Sequence, residues 1–189
     1  MNIYGKKVLL RAMEPEDMEM LREMINDPEI ERMVGGWSFP VSKHEQMRWY
    51  ERVIDDKRNL RFIIEIIETG EAIGMINLTD LDWKNRVGFH GIKLKSSAPK
   101  GQGYATDAVM ALEWYAFEQL NLNRLDGACI VYNDASQRLY DKCGVKVEGI
   151  RRQAIYKDGQ YFDQQYTGVL RDDYFTAKKS LNWSPLHEK

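Results

Sequence analysis

Along this chain the hydrophobic period changes several times, and the order of those changes limits the fold more than any single residue does. Residues 8–12, Val-Leu-Leu-Arg-Ala, read as a short strand. Glu14-Pro15-Glu16-Asp17 then opens a helix: proline fits a first turn, and carboxylates suit the positive end of the helix dipole. Met18, Leu21, Met24 and Ile25 recur at helical spacing, and Asp27-Pro28 reads as the stop. Ser42 and Glu45 form a capping box for a second helix over 42–56. At 61–67 the pattern becomes the run Arg-Phe-Ile-Ile-Glu-Ile-Ile, as in a strand buried on both faces. Thr69-Gly70-Glu71 turns it into a strand over 72–79, and Lys84-Asn85-Arg86 leads to another over 87–95. Residues 104–120 return to helical period, with Ala105, Ala108, Val109, Leu112 and Ala116 on one face. A strand over 125–131 follows, then a helix over 135–142, capped by Asn133-Asp134 and stopped at Gly144. Two strands over 145–156 and 160–170 flank the hairpin signal Lys157-Asp158-Gly159. This alternation predicts an α/β domain with a mixed sheet.

The chain has 189 residues, 43% of them hydrophobic, enough for one domain with a core that needs no disulfide or metal. No linker, repeat or low-complexity tract divides it, so 1–175 is read as a single domain and 176–189 as a polar tail. With 27 Lys and Arg against 29 Asp and Glu, nothing draws the whole molecule to phosphate backbones or anionic lipid, so nucleic acid is not an expected partner. Apolar runs fall far short of the roughly 20 residues that span a bilayer, and the first residues make no signal peptide. Cys129 and Cys143 lack disulfide-framework or metal-ligand spacing and read as buried thiols in a reducing compartment. The expectation is a cytoplasmic protein with neither metal nor membrane.

The segment richest in chemistry is the loop Lys100-Gly101-Gln102-Gly103-Tyr104-Ala105, between a strand and the long helix. Small residues let backbone N–H groups approach a ligand, and the helix start adds partial positive charge, which suits a phosphate or pyrophosphate. The third glycine of a dinucleotide fingerprint is missing, and no Gly-Lys-Ser/Thr follows as in a P-loop. A turn with no ligand role is the plain alternative. Downstream lies Asn133-Asp134-Ala135-Ser136-Gln137-Arg138-Leu139-Tyr140-Asp141-Lys142-Cys143-Gly144-Val145.

With that second segment the chain resembles the GNAT superfamily of acyl-CoA-dependent N-acetyltransferases. Its members carry a Q/R-x-x-G-x-G/A loop for the coenzyme A pyrophosphate, then a strand, then a helix of the form N-x-x-[AS]-x-x-x-Y-x-K-x-G-F. Here Lys100 replaces the usual Gln or Arg, and Val145 replaces Phe; Gly103, Ala105, Asn133, Ser136, Tyr140, Lys142 and Gly144 match. The segments 8–17, Ile73-Gly74, Glu148-Gly149 and 159–163 are similar to the branch containing spermidine and ribosomal-protein N-terminal acetyltransferases. The resemblance implies a GNAT-like mixed, splayed central β-sheet flanked by helices, with acetyl-CoA as co-substrate. The sheet would open between the strands over 87–95 and 125–131, where the pantetheine arm pairs with Ile92, Lys93 and Leu94. Lys100, Gly101, Gln102, Gly103, Tyr104, Ala105 and Thr106 would hold the pyrophosphate, and Asn133, Ser136 and Tyr140 sit at further coenzyme-contacting positions.

The resemblance also makes Tyr140 the acid for the departing thiolate, against the alternative of a core tyrosine. Asn133 reads equally well as a helix cap. Many relatives place a Glu base on the fourth strand; the corresponding stretch here offers His90, which takes a proton near neutral pH. Glu65, a water relay and a purely structural His90 are the alternatives. Trp37, Phe39, Trp49, Tyr50 and Trp83 are expected to wall the acceptor pocket. Asp27, Glu29, Glu31, Glu51, Asp55 and Asp56 would add negative charge suited to a cationic amine, although a solvated helix face explains the same residues. The segments 37–50 and 61–65 resemble the spermidine acetyltransferases, and that resemblance slightly favours a polyamine-like amine over a protein N-terminus or an aminosugar or aminoglycoside. Outside the enzyme class, the rival is a non-catalytic acyl-CoA-binding module. A homo-oligomer is a family-level expectation.

Overall fold

The computed structural model describes residues 1–36 and 39–186. The strands β1 (Ile3–Tyr4), β2 (Val8–Arg11), β3 (Leu60–Ile66), β4 (Ala72–Asp82), β5 (Val87–Leu94), β6 (Arg124–Ile130), β7 (Lys146–Lys157) and β8 (Gln160–Leu170) form one sheet. Their order is β1-β2-β3-β4-β5-β6-β8-β7, and every neighbouring pair is antiparallel except β5 and β6. The expected mixed sheet flanked by helices is therefore present.

Strand β3 shows why the sheet carries helices on both faces. Successive side chains point to opposite sides. Ile64 and Ile66 enter a large core with Ala108, Val109 and Leu112 of α4 (Tyr104–Trp114), while Ile63 joins Met18, Leu21 and Met24 of α1 (Met18–Asn26). Burying each isoleucine contributes about 1.5–3 kcal/mol, so coverage of both faces follows from the apolar run itself. Short α2 (Pro28–Met33) and α3 (Lys43–Val53) lie on the α1 side; Tyr140 of α5 (Asp134–Lys142) and Tyr174 of α6 (Arg171–Ser180) are buried in the α4 core. Arg11 fastens the α1 side, pairing with Asp17 at 2.8 Å and Glu65 at 2.6 Å.

The hairpin closes as read: Asp158 and Gly159 take φ of 49° and 80° between Lys157 and Gln160, a two-residue turn whose twist matches the strands. Three features differ from the sequence reading. Asp27-Pro28 ends α1 but also starts α2, because Asp27 caps it by accepting from the Glu29 amide while Pro28 occupies its first turn. The long helix leaves α-geometry after Trp114 for a wider π-helical turn over Tyr115–Gln119. The region beyond 175 is not a loose tail: α6 runs through to Ser180, and Trp183 is buried in the main core. Polar composition concealed one tryptophan whose indole has a specific acceptor, Asp107 at 2.6 Å.

Candidate active site

Strands β5 and β6 pair only at Val87 with Arg124, Gly88 with Leu125 and Phe89 with Asp126. Beyond that point no ladder bond joins them among the described residues, so the β5 edge from His90 to Leu94 is free on its β6 side. Parallel strands that part in mid-sheet leave backbone donors and acceptors for an extended, amide-bearing ligand. Ile92, Lys93 and Leu94 all lie on this free edge.

Strand β5 runs on into the glycine loop. Gly101 and Gly103 have φ of +74° and +82°, values that glycine adopts without strain, and Gly103 caps α4. The first-turn amides of α4, which have no partner within the helix, are thus presented beside Lys100, Gln102, Tyr104, Ala105 and Thr106. Sequence reasoning missed the second cation here. Lys7, in the β1–β2 turn, donates to the Gln102 carbonyl at 2.7 Å, and its ammonium lies 3.8 Å from where a Gly103 side chain would begin. Asp107 puts it there. This buried carboxylate accepts from the backbone N–H groups of Lys6, Lys7 and Val8 at 2.9, 2.7 and 3.0 Å, as well as from the Trp183 indole. An aspartate in a first helical turn was the only available signal. Lys7→Met is expected to weaken acetyl-CoA binding roughly tenfold, the worth of one charge-assisted contact. Gly103→Glu is expected to weaken it further, through backbone strain and like charge. Calorimetric titration checks both, and unchanged dissociation constants would remove the loop from binding.

Tyr140 is buried under α4, and its ring lies 5.1 Å from that of His90. Burial chiefly, then the neighbouring Cys129, Cys143 and Glu113, hold its phenol protonated well above the usual tyrosine range, while Ser136 one turn earlier hydrogen-bonds it and acts weakly in the opposite sense. Asn133 fulfils the cap reading: its carbonyl oxygen accepts from the Ser136 amide at 3.0 Å. Its amide nitrogen donates to the Met33 carbonyl at 2.9 Å, so both ends of the side chain are engaged within the protein.

His90 is enclosed in the protein rather than open to solvent. Lys93 and His90 fall on opposite faces of β5, and the imidazole lies on the α4–α5 side, 2% exposed. It fits because Gly127 has no side chain: a Cβ there would come 3.0 Å from His90 Nε2 and 2.8 Å from Thr167 Oγ1. Burial lowers the His90 pKa from the ordinary histidine value of 6.5 to about 4. Between those two values the unfolded chain takes up a proton that the folded chain refuses, so stability falls as pH drops through that window. The loss approaches about 3 kcal/mol. Urea unfolding from pH 7 to pH 4 is expected to show this slope in the wild type and a shallower one in His90→Gln. Equal slopes would contradict the burial account. Glu65, the other candidate base, is held by Arg11.

On the opposite face a cleft of about 530 Å³ opens over β4 and β5. Leu21 and Met24 of α1, Ile30 of α2, Trp49 of α3 and Met75 of β4 give it apolar walls. Helix α2 bridges the ends of the parted strands. Its cap Asp27 accepts from Ser96, just past β5, at 2.6 Å, and its Arg32 and Met33 carbonyls accept from Tyr132 and Asn133, just past β6. Of the expected wall residues, Trp49 lines the cleft, whereas Phe39 is exposed and lines a neighbouring groove shared with Tyr156 and Lys157. Tyr50 packs instead against the core of Met18 and Leu21 and does not line the cleft. Trp83 is 52% exposed at the β4–β5 turn, the end of β5 remote from the free edge, so it cannot wall this cleft. Trp37 falls outside the described residues.

A family model described as an acetyltransferase (GNAT) domain matches residues 7–146. The SPbeta prophage-derived uncharacterized N-acetyltransferase YokL of Bacillus subtilis (strain 168) is 30% identical over 171 residues, 90% of this chain and 93% of that protein. The "Putative ribosomal N-acetyltransferase YdaF" of the same organism is 31% identical over 176 residues, 90% of this chain and 94% of that one. A crystal structure of spermidine N-acetyltransferase from Vibrio cholerae, in complex with CoA and spermine, superposes with a TM-score of 0.83. That likeness covers 89% of this chain and 98% of that one at 24% identity, and it is a likeness of fold.

Proposed function

The chain belongs to the GNAT acetyltransferase family, and from that premise we propose that it transfers an acetyl group from acetyl-CoA to a primary amine by direct attack of the amine nitrogen. The observation that carries this reading is the parting of β5 and β6 beyond Phe89 and Asp126, with Tyr140 stacked on the first β5 residue past the ladder. The donor fits the groups present: free backbone along an extended edge for an amide-bearing arm, and helix-start amides with Lys7 and Lys100 for a pyrophosphate.

Bound acetyl-CoA supplies an activated acyl carbon in its thioester, which leaves positioning and proton handling to the chain. In this reading the backbone from Ile92 to Leu94 aligns the pantetheine arm, and an N–H near Ile92 donates to the carbonyl oxygen as negative charge develops. As the N–C bond forms and the C–S bond breaks, Tyr140 gives its proton to the sulfur. The nitrogen gives up two protons in all, one to solvent as it becomes nucleophilic and one that restores the phenol through water. No acyl-enzyme is needed: Cys129 and Cys143 are buried, and burial raises both thiol pKa values, keeping them protonated.

The test is amine-dependent thiol release from acetyl-CoA, with the acetylated amine identified by mass spectrometry, across a polyamine, a peptide with a free N-terminus, an aminoglycoside and amino acids. Release with acetylated product supports the reading. Tight acetyl-CoA binding without release on any amine overturns it in favour of a non-catalytic acyl-CoA-binding module.

A further inference from the structure

We propose that the acceptor is an α-amino carboxylate with an apolar side chain rather than a polyamine, its carboxylate received by Lys93 with Arg48 and Arg52; this rests on the acetyl-transfer reading above. The charged groups of the cleft carry the argument. Two carboxylates line it, Glu31 and Glu45, and both are committed within the protein. Glu45 closes the α3 capping box, accepting from the Ser42 amide at 2.9 Å and the Ser42 hydroxyl at 2.7 Å. Glu31 pairs with the buried ammonium of Lys157, which also donates to the Glu31 carbonyl at 2.9 Å.

Three solvent-exposed cations line the same cleft: Arg48 and Arg52, one turn apart on α3, and Lys93 of β5. Among the described residues none of the three has a carboxylate within ion-pair distance, although Arg48 feels the charge of Glu45 one turn earlier on α3. Lys93 is solvent-exposed at the cleft, and the protein around it and the like charge of Lys157 hold its ammonium below the ordinary lysine value; no protein carboxylate neutralises it among the described ion pairs. A polyamine would bring further positive charge to this cluster and find its only carboxylates occupied. A carboxylate would supply the missing partner.

Position narrows the acceptor further. Lys93 belongs to the free edge of β5, so a carboxylate it receives lies close to the reacting nitrogen, as in an α-amino acid. The apolar remainder of the cleft, from Leu21, Met24, Ile30 and Met75, suits an aliphatic side chain.

Thiol-release kinetics with L-leucine, L-leucinamide and spermidine test this, at a pH where both leucine and leucinamide are compared as their free amines, since leucinamide carries a neutral amide where leucine has its carboxylate. Wild-type kcat/KM is expected to favour leucine over leucinamide by at least about tenfold, with spermidine no better than leucinamide. In Lys93→Met the leucine-to-leucinamide ratio is expected to collapse toward one, chiefly through KM for leucine. Leucinamide or spermidine turned over as well as leucine by the wild type would overturn the inference while leaving acetyl transfer intact. A ratio unchanged in Lys93→Met would remove Lys93 from recognition. Absence of turnover on all three amines, despite acetyl-CoA binding, would overturn both this inference and the reading beneath it.

Discussion

Tyr140→Phe is expected to lower kcat by roughly a hundredfold or more while leaving the acetyl-CoA dissociation constant within about twofold of wild type. The substitution keeps the ring that packs on His90 and removes only the hydroxyl. In the proposed binding mode coenzyme affinity rests on the glycine loop, the α4 amides and Lys7, none of which the phenol touches in the described hydrogen bonds. What is lost is a donor held protonated by burial, so the sulfur must depart as a thiolate or wait for water to reach a closed site. Steady-state kinetics paired with calorimetric titration separates the two quantities. Equal turnover would take Tyr140 out of proton transfer and return it to the core; equal loss of binding would mean that the helix had shifted.

Asp107→Ala is expected to be the most destabilising single change at the site, costing about 3–5 kcal/mol. One carboxylate serves the consecutive backbone donors of Lys6, Lys7 and Val8 and the Trp183 indole, and alanine would leave all four without their acceptor, those of Val8 and Trp183 in a buried place. Orphaned buried donors cost about 1–3 kcal/mol each where water cannot replace the partner, and partial relaxation keeps the sum below full additivity. The same change releases Lys7 from the loop, so acetyl-CoA affinity is expected to fall with stability. Asp107→Asn is expected to recover only part of the loss, because an amide offers one acceptor oxygen and presents donors where donors already converge. Denaturant unfolding checks the first claim and titration under folding conditions the second. A loss below about 1 kcal/mol would show that Asp107 is not the clasp.

Much of this arrangement was legible in local sequence. The run at 61–67 declared a strand covered on both faces, the Ser42–Glu45 box started α3 where read, and Asp158-Gly159 closed the hairpin. The glycine loop and the Asn133–Gly144 helix were legible for the same reason: caps, turns and positive φ are properties of a few adjacent residues. What escaped depends on contacts far apart in sequence. Lys7 reaches the loop only because Asp107 gathers the β1–β2 turn. Trp183 joins the core with its indole N–H satisfied by that same carboxylate. His90 is buried because strand register places it beside Gly127 and below Tyr140. The acidic residues of the first helices looked like a field for a cationic amine, yet Glu31 is spent on Lys157 and Asp27 on the α2 cap and Ser96. A count of charges cannot distinguish a free carboxylate from an engaged one.

The central claim is that the gap between β5 and β6 seats the coenzyme arm with its sulfur at Tyr140. A crystal structure of the protein with acetyl-CoA tests this most directly. The expected density runs along β5 from Ile92 to Leu94, with the pyrophosphate against the Gly101–Gly103 loop and Lys7, and with the sulfur within hydrogen-bond reach of the Tyr140 hydroxyl. Coenzyme bound elsewhere, or a sulfur remote from Tyr140, would contradict the account.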